Sequence, residues 1–267
     1  GFLGPEGTFS QQAVLKHFGR SAHGMPMASI EEVFQEVENG NADFGVVPVE
    51  NSGQGTIQVT LDLFLTSPLK ICGEVELRVH QHLLSRSGRI EDIERIYAHP
   101  QAFGQAAGWL RTHLPRAEKL PVSSNAEGAR RARNADDAAA IAGESAGLVY
   151  GLKRVAGPIE DRSDNTTRFL VLGRESFPPS GHDRTSLLVF IRDRPGALYG
   201  VLEPLARRGI SMNRIESRPA HGHLWQYSFF SDVAGHRDEA PLKDALGEIA
   251  GQGDEVRVLG SYPVAIL

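Results

Sequence analysis

The sequence predicts an α/β protein in which a larger domain of alternating strands and helices is followed by a smaller, ferredoxin-like domain. Over the first two thirds of the chain, short apolar runs alternate with helical patterns, which is typical of strands joined by crossover helices. A second series of patterns, in the order βαββαβ, occupies the rest of the chain. The length of 267 residues also exceeds one typical domain of about 100–200 residues.

The composition describes a soluble globular protein, with 40% hydrophobic and 23% charged residues. The net charge of -5, with scattered lysine and arginine, argues against a nucleic-acid partner, because neutralising phosphates requires a basic face. A single cysteine, Cys72, excludes an intrachain disulfide and a multi-cysteine metal site. No apolar run approaches the roughly 18 residues of a membrane helix, and no signal sequence precedes the first strand. We therefore expect a cytoplasmic protein that uses no membrane partner.

The early elements of the first domain are clearly patterned. Ser29 and Glu32 form a capping box for a helix that ends at Gly40. The apolar run 44–49 then predicts a buried strand, which is followed directly by the polar segment 50–55. The chain itself opens on Gly1, already inside an expected strand, so we expect an initiating segment to be missing from this numbering.

Polar residues follow several predicted strands. Ligands bind at the carboxyl ends of strands in open α/β sheets, so these positions are candidates for one site. The segments that follow or head a strand in this way are 4–10, 50–55, 99–101, 143–145 and 166–169.

The segment 75–80 has period two, unlike the buried strands before it, and predicts a crossing between two lobes with a cleft between them. The two prolines in Phe177-Pro178-Pro179-Ser180-Gly181 predict a linker. The resulting boundaries are a first domain at 1–176, with lobes of roughly 1–75 plus 157–176 and 76–156, a linker at 177–183, and a second domain at 184–267.

The second domain shows four strand patterns and two helix patterns. The strands are expected at 185–191, 211–218, 223–231 and 256–262, the helices at 196–208 and 242–249, and a hairpin turn around His221-Gly222.

Three segments could carry chemistry, and each has an ordinary structural alternative. The glycines of 4–8 allow backbone amides to approach an anion at a helix N-terminus, although two glycines in a turn are usually only a turn. Glu50-Asn51-Ser52 could orient a polar ligand or lie solvated on a loop. Thr166-Thr167-Arg168 pairs hydroxyls with a guanidinium that suits carboxylates, but Arg168 could equally pair with Asp161 or Asp164.

Other chemistries find no support in the sequence. His99 is more often a capping or core histidine than a catalyst, and no His or Cys spacing suggests a metal. A nucleophile elbow, a phosphate-binding loop and a dinucleotide fingerprint are also missing, which disfavours hydrolases, kinases and dehydrogenases.

Taken together, four motifs resemble the prephenate dehydratase family, in the family's order and at suitable separations. They are Gly4-Pro5-Glu6-Gly7-Thr8-Phe9-Ser10, Val47-Pro48-Val49-Glu50-Asn51-Ser52, His99-Pro100-Gln101 and Thr166-Thr167-Arg168-Phe169. The second domain resembles the ACT regulatory domain, through 194–199 and 215–219. The resemblance covers nearly the whole chain. It implies a two-lobed catalytic domain similar to type II periplasmic binding proteins, and conversion of prephenate to phenylpyruvate without metal or cofactor.

The resemblance also implies roles for individual residues. Thr167 would donate a hydrogen bond or proton to the departing hydroxyl, Arg168 would bind a substrate carboxylate, and Glu50 would be an alternative acid or an orienting group. Thr8, with the Gly7 amide, would hold the other carboxylate. The remaining expected substrate contacts are Asn51, Ser52, Gln101, Thr166 and Phe169.

For the ACT domain, the resemblance implies that L-phenylalanine binds between paired copies, so that the assembly is a homodimer or a homotetramer. The expected effector contacts are Gly196, Ala197, Leu198, Asn213, Glu216, Ser217, Arg218 and Pro219. Three alternatives stay open at this point: an arogenate dehydratase, a non-catalytic small-molecule binding protein, and an amino-acid sensor with a degenerate first domain.

Overall fold

The computed structural model describes residues 1–191, 194–219, 227–252 and 254–266. The predicted hairpin turn at His221-Gly222 lies outside these residues. In chain order the first domain contains β1 (Phe2–Leu3), α1 (Phe9–Phe18), β2 (Pro26–Met27), α2 (Ile30–Glu38), β3 (Gly45–Asn51), β4 (Gly55–Thr56), α3 (Gln58–Phe64), β5 (Lys70–Arg78), β6 (His82–Ser85), a 3₁₀ turn (Ile90–Asp92), β7 (Arg95–Ala98), α4 (Pro100–Gln105), α5 (Ala107–His113), β8 (Glu118–Pro121), α6 (Asn125–Ala132), β9 (Ala138–Ala142), α7 (Glu144–Tyr150), β10 (Lys153–Ala156) and β11 (Thr166–Gly173). The second contains β12 (Asp183–Ile191), α8 (Ala197–Arg207), β13 (Met212–Pro219), β14 (Tyr227–Ala234), α9 (Ala240–Gly251) and β15 (Glu255–Pro263).

The first lobe is built on a sheet of order β2-β1-β3-β11-β5, with β4 paired to β3. Helix α2 begins where the sequence predicts, because the Ser29 hydroxyl accepts a hydrogen bond from the Glu32 N–H at 3.2 Å. Strand β3 runs through Asn51, two residues beyond the predicted end, because β11 offers it an antiparallel partner in which Thr167 lies opposite Asn51. The polar pair at positions 50 and 51 therefore belongs to the sheet.

The second lobe has its own sheet, of order β10-β6-β9-β7-β8. All five residues of β9 are buried, and the small alanine side chains let α6 pack closely on this strand. Residues from β7, α4 and α5 form a second apolar cluster on the lobe.

Two segments, 79–81 and 157–165, connect the lobes. The first crossing lies beyond the predicted boundary at 75–76, because β5 stays in the first sheet up to Arg78, which lies opposite Thr166. Glu160 joins the two segments, since its carboxylate accepts from the Gln81 N–H at 2.9 Å and lies 2.8 Å from the His80 ring nitrogen. The predicted two-lobed α/β class is confirmed.

The C-terminal domain is an antiparallel sheet of order β13-β14-β12-β15, which confirms the ferredoxin-like class. One face of the sheet packs against α8 and α9 through residues such as Leu187 and Val189. The other face packs on the first lobe, where Leu188 joins the same apolar cluster as Leu170. Across the described residues, no helix is long and apolar enough to span a membrane.

Candidate active site

A cavity of about 290 Å³ lies between the two lobes. Amide, hydroxyl and apolar side chains line it, together with one histidine, and no Lys, Arg, Asp or Glu of the described residues does. The lining residues are Leu3, Gly4, Gly7, Thr8, Phe9, Ser10, Pro48, Asn51, Gln54, Ile57, Val79, Gln81, His99, Gln101, Ala102, Gln105, Ser123, Ser124, Asn125, Ala126, Gly143, Asn165, Thr167 and Phe169.

The Thr167 hydroxyl lies at the centre of a fixed hydrogen-bond arrangement. Its oxygen accepts a hydrogen bond from the Asn51 amide at 2.8 Å. The Asn51 oxygen accepts from the N–H groups of Gly53 and Gln54 at 3.0 and 3.2 Å, so the NH₂ side of this amide must face Thr167. The same NH₂ also donates to the Asn165 oxygen at 2.7 Å. Because Thr167 acts as the acceptor in this contact, its own O–H is left to donate into the cavity.

The N-terminus of α1 enters the cavity from the first lobe. The Thr8 hydroxyl caps this helix by accepting from the Gln11 N–H and donates to the Leu3 carbonyl at 3.1 Å. The Gly7 N–H donates to the Gln11 side-chain oxygen at 2.6 Å. Since both groups are already used within the lobe, the predicted binding of a carboxylate by the Thr8 hydroxyl and the Gly7 amide does not fit this structure.

Ser10, which the sequence analysis did not assign, is a better placed donor. It is 6% exposed, lines the cavity, and its hydroxyl has no hydrogen-bond partner in the part of the chain that the structure describes. The first two N–H groups of α1, those of Phe9 and Ser10, also have no acceptor among the described residues, as expected for a first helical turn. Free donors at a positive helix end suit a carboxylate.

Amide side chains form the facing wall on the second lobe. Gln81, 3% exposed, donates to the Gln105 oxygen at 3.1 Å and accepts from the Asn125 amide at 3.3 Å. Gln101 lines the cavity beside them. His99 caps α4 through its ring nitrogen, which accepts from the Gln101 N–H at 3.3 Å, so its predicted capping role fits and it also lines the cavity.

The lobes touch beside the cavity, through α1 and α7. The Gln12 amide donates to the Ser145 hydroxyl at 2.6 Å, and this hydroxyl donates to the Gly7 carbonyl at 3.2 Å. The Tyr150 hydroxyl donates to the Glu6 carbonyl at 2.9 Å. These contacts join the two lobes on one side of the cavity.

Two of the three residues predicted to be catalytic lie away from the cavity. Successive side chains of a strand point to opposite faces, so Thr167 faces the cavity and Arg168 faces the C-terminal domain. The Arg168 guanidinium is buried against Glu74 and Asp232, and its predicted role in binding a substrate carboxylate therefore does not fit. Glu50 lies opposite Arg168 in the sheet and is directed to Arg214 at 3.7 Å, so it does not line the cavity either.

The other predicted substrate contacts divide in the same way. Phe169, like Gln101 and Asn51, lines the cavity. The Ser52 hydroxyl instead accepts from the Thr166 N–H at 3.0 Å and donates to the Asp164 carbonyl at 3.1 Å. Ser52 and Thr166 thus hold the strand ends together, and neither side chain lines the cavity.

The predicted effector residues lie in two segments of the C-terminal domain. Register places Pro219 opposite Tyr227, and Tyr227 opposite Ile191, so the end of β13 and the loop before α8 share one end of the sheet. Gly196 has φ 77° and precedes α8, followed by Ala197 and Leu198.

Along β13 the side chains alternate between the catalytic domain and the outside. Glu216 accepts from the Thr56 hydroxyl at 3.0 Å, and Arg218 pairs with Asp62. A single effector site that uses both of these side chains does not fit this structure. Asn213, Ser217 and Pro219 are exposed on the outer side.

Fold and cavity together define a class: a two-lobed α/β domain with a polar cavity between its lobes, joined to a ferredoxin-like domain. The family model for prephenate dehydratase matches residues 1–177, and the family model for the ACT domain matches residues 185–251. The chain belongs to the prephenate dehydratase family.

Similar proteins extend this result over the full length. A bifunctional chorismate mutase/prephenate dehydratase of Pseudomonas aeruginosa is 49% identical over 100% of this chain and 73% of its own. The structure of prephenate dehydratase from Arthrobacter aurescens in complex with L-Phe is 35% identical, with a TM-score of 0.88 over 98% of this chain and 88% of that one. The structure of GqqA, a quorum-quenching acylase, is 30% identical, with a TM-score of 0.90 over 98% and 97%.

Proposed function

We propose that this protein is a prephenate dehydratase, which converts prephenate to phenylpyruvate, carbon dioxide and water and responds to L-phenylalanine through its ACT domain. The observation that carries the proposal is the Thr167 hydroxyl, which accepts from Asn51 and is left to donate into the cavity between the lobes. The family and its relatives support the same activity.

The reaction needs orientation and help for a poor leaving group. Loss of the ring carboxylate as carbon dioxide leaves an electron pair in the ring, which becomes aromatic as the C4–O bond breaks. The Thr167 O–H donates a hydrogen bond to the departing oxygen, where negative charge develops. Because a threonine hydroxyl is a weak acid, the oxygen leaves as hydroxide held by this bond and then takes a proton from solvent. Phe169 packs against the apolar ring.

The cavity suits a doubly anionic keto acid. The hydroxyl and N–H of Ser10, together with the N–H of Phe9, bind one carboxylate at the positive end of α1. The amides of Gln81, Gln101 and Asn125 surround the other end of the substrate. Arogenate carries an ammonium group where prephenate has its keto group, and the described lining offers that ammonium no carboxylate partner. This favours prephenate over arogenate.

We further propose that phenylalanine binds between paired ACT domains, within a homodimer or a homotetramer. Tyr199 and Ile215 are 70% and 43% exposed, and Ile215 lies on β13, which is an unpaired edge strand of this sheet. A second copy would cover these apolar side chains. Ile215→Asp should give a smaller assembly by sedimentation and lose the response to phenylalanine. A cytoplasmic location stays a prediction from the sequence.

The direct test is phenylpyruvate formation at neutral pH, with prephenate and arogenate compared on the same preparation. We expect turnover of prephenate at least about ten times more efficient than that of arogenate, since an uncompensated buried ammonium costs more than one hydrogen bond. Preference for arogenate would overturn the substrate assignment, and inactivity on both would overturn the enzyme assignment.

An acylase activity like that of GqqA is not favoured by the cavity. Acyl transfer by a hydroxyl or thiol requires a base within hydrogen-bond distance of it. Among the described residues, no serine, threonine or cysteine side chain is hydrogen-bonded to a histidine ring. Release of a fatty acid from an N-acyl amide by the purified protein would contradict this reasoning.

A further inference from the structure

The Arg168 guanidinium joins the two domains at the back of the catalytic strand. Its Nε donates to Glu74 at 2.7 Å, one terminal nitrogen to Asp232 at 2.6 Å, and the other to the Tyr262 hydroxyl at 3.0 Å. The side chains of Arg168, Glu74 and Asp232 are only 10%, 0% and 6% exposed. Burial by itself would lower the pKa of Arg168, but Tyr262 and the two carboxylates hold it above its ordinary value, so the group stays charged.

The contacts continue into the centre of the C-terminal sheet. The Ser186 hydroxyl donates to the second Asp232 oxygen at 2.5 Å and lies 2.6 Å from the Tyr262 hydroxyl. Arg184 donates to Glu74 at 2.6 Å. We call Glu74, Arg168, Arg184, Ser186, Asp232 and Tyr262 the interdomain network. It links β5 and β11 of the first lobe to three strands of the ACT domain.

The network is one peptide unit away from the catalytic hydroxyl. Thr167 and Arg168 are consecutive in β11, with the first facing the cavity and the second facing the ACT domain. β11 pairs with β5 in unbroken register from Thr166 to Val171, whereas its pairing with β3 shifts register between Arg168 and Phe169, so the backbone ladder is interrupted on the β3 side beside Arg168. At this interruption the three side-chain partners of Arg168 add a further constraint on where the Thr167 backbone lies. A displacement of about 1 Å at a catalytic group can cost on the order of 10²-fold in rate.

We propose that Arg168 is a positioning residue, which holds the Thr167 segment of β11 to the ACT domain so that the placement of the ACT sheet sets the placement of the catalytic hydroxyl. This inference rests on the proposed dehydratase function. It makes the ACT domain part of catalysis even when no effector is bound. It also gives the effector a physical route, because any movement of Asp232 or Tyr262 against the first lobe moves β11.

Stability alone is a weak explanation for this network. Buried ion pairs usually gain little over well-packed apolar side chains of similar volume. Neighbouring residues on this face, such as Leu170 and Leu188, already form one apolar cluster. The network instead fixes the Arg168 side chain in one position, because three partners hold its guanidinium.

The test compares two interdomain ion pairs, only one of which touches β11. Asp232→Asn removes the negative charge of one partner of Arg168, whereas Asp62→Asn removes the negative charge of the partner of Arg218, which joins β13 to α3. Without phenylalanine, we expect Asp232→Asn to lower kcat about ten-fold, with KM changed less than about two-fold. Asp62→Asn should leave kcat within about two-fold. Tyr262→Phe keeps every charge and should lower kcat about three-fold. If Asp232→Asn does not fold, Tyr262→Phe serves as the test of whether Arg168 positions Thr167.

A second readout separates positioning from a general loss of structure. In a Thr167→Ala background there is no hydroxyl left to position, so Asp232→Asn should lower the residual kcat by less than about two-fold. The proposal is overturned if Asp232→Asn and Tyr262→Phe leave kcat unchanged, if Asp62→Asn lowers it equally, or if the Asp232→Asn loss persists in full beside Thr167→Ala. An unmutated protein without dehydratase activity would instead overturn the proposed function.

Discussion

The two faces of the β3–β11 pair carry opposite kinds of chemistry. On the cavity face, Asn51 and Thr167 lie opposite each other and interact through neutral hydrogen bonds. On the other face, Glu50 and Arg168 lie opposite each other and are directed to charged residues of the ACT domain. The charged groups are all paired with one another, whereas the neutral face leaves one O–H without an acceptor. The uncharged face is therefore the one that has a hydrogen-bond donor available to a substrate.

The largest expected effect concerns stability on the ACT face. Glu74→Gln leaves Arg168 with Asp232 alone and removes the carboxylate that Arg184 pairs with, and should lower the free energy of unfolding by about 3–5 kcal/mol, as breaking a buried ion pair does. Urea denaturation measures it. Glu76→Gln, two residues along β5, is the matched control, because the Glu76 carboxylate forms no ion pair with any residue that the structure describes, and it should change stability by less than about 0.5 kcal/mol. Equal stability of the two variants would contradict the comparison.

On the cavity face, Thr167→Ala should lower kcat by about 10²–10³-fold, because it removes the one donor aimed at the leaving oxygen. Its stability should change by less than about 1 kcal/mol, unlike that of Glu74→Gln. Steady-state formation of phenylpyruvate and urea denaturation measure the two quantities. Thr167→Ser keeps the hydroxyl and should retain most of the activity. A fully active Thr167→Ala would show that the hydroxyl has no role in the reaction.

Asn51→Asp tests the direction of the hydrogen bond at Thr167. A carboxylate at this position still accepts from the Gly53 and Gln54 N–H groups but has no N–H of its own, so it draws the Thr167 O–H away from the cavity. We expect kcat to fall by about 10–100-fold. Asn165→Asp adds the same charge nearby yet preserves the acceptor for Asn51, and should raise KM while kcat stays within about three-fold. Equal loss of kcat in both variants would point to charge repulsion instead.

The smallest effect is expected at Ser10, which is proposed to bind a substrate carboxylate in its ground state as well as in the transition state. Ser10→Ala should raise KM about ten-fold and leave kcat nearly unchanged, since a hydrogen bond to a charged group contributes about 1.5–3 kcal/mol. The steady-state kinetics with prephenate measure both constants. If kcat falls and KM does not change, Ser10 has a different role from the one proposed.

Much of the fold follows from local patterns in the sequence. The capping box at Ser29, the buried run in β3 and the alanine-rich β9 each predict the element that the structure contains. Because ligands bind at strand ends in α/β folds, the same reasoning brought Asn51, Gln101 and Thr167 to a common cleft, although Gln101 follows a strand of the second lobe's own sheet. These inferences succeed because each depends on a few adjacent residues.

The errors arise where several residues in a row were treated as one site. Thr166-Thr167-Arg168-Phe169 was interpreted as a cluster, although period two along a strand separates Thr167 from Arg168. The partners of Arg168, Glu74 and Asp232, are 94 and 64 residues away, a separation that no periodic pattern reveals. The Thr8 hydroxyl was assigned to substrate, although a threonine before a helix commonly caps it.

Several lining residues were missed for identifiable reasons. Asn125 follows β8, a short strand with no buried residue, so the sequence gives no apolar signal that would mark the end of this strand as a candidate position. Gln81 lies in a crossing segment, whose path depends on how the lobes dock. Ser10 was inside a recognised motif, and its free hydroxyl becomes apparent only once Thr8 is seen to cap the helix.

The groups that orient the Thr167 hydroxyl all lie on or beside the first lobe. Asn51, its turn at Gly53 and Gln54, and Asn165 next to β11 form this arrangement without any side chain from the second lobe. The alignment of the donor thus does not depend on the second lobe, and the opposite wall of glutamines and asparagine is free to change during evolution. A duplicated copy of this protein could acquire a different substrate through changes in the second lobe alone, with its reactive hydroxyl inherited intact.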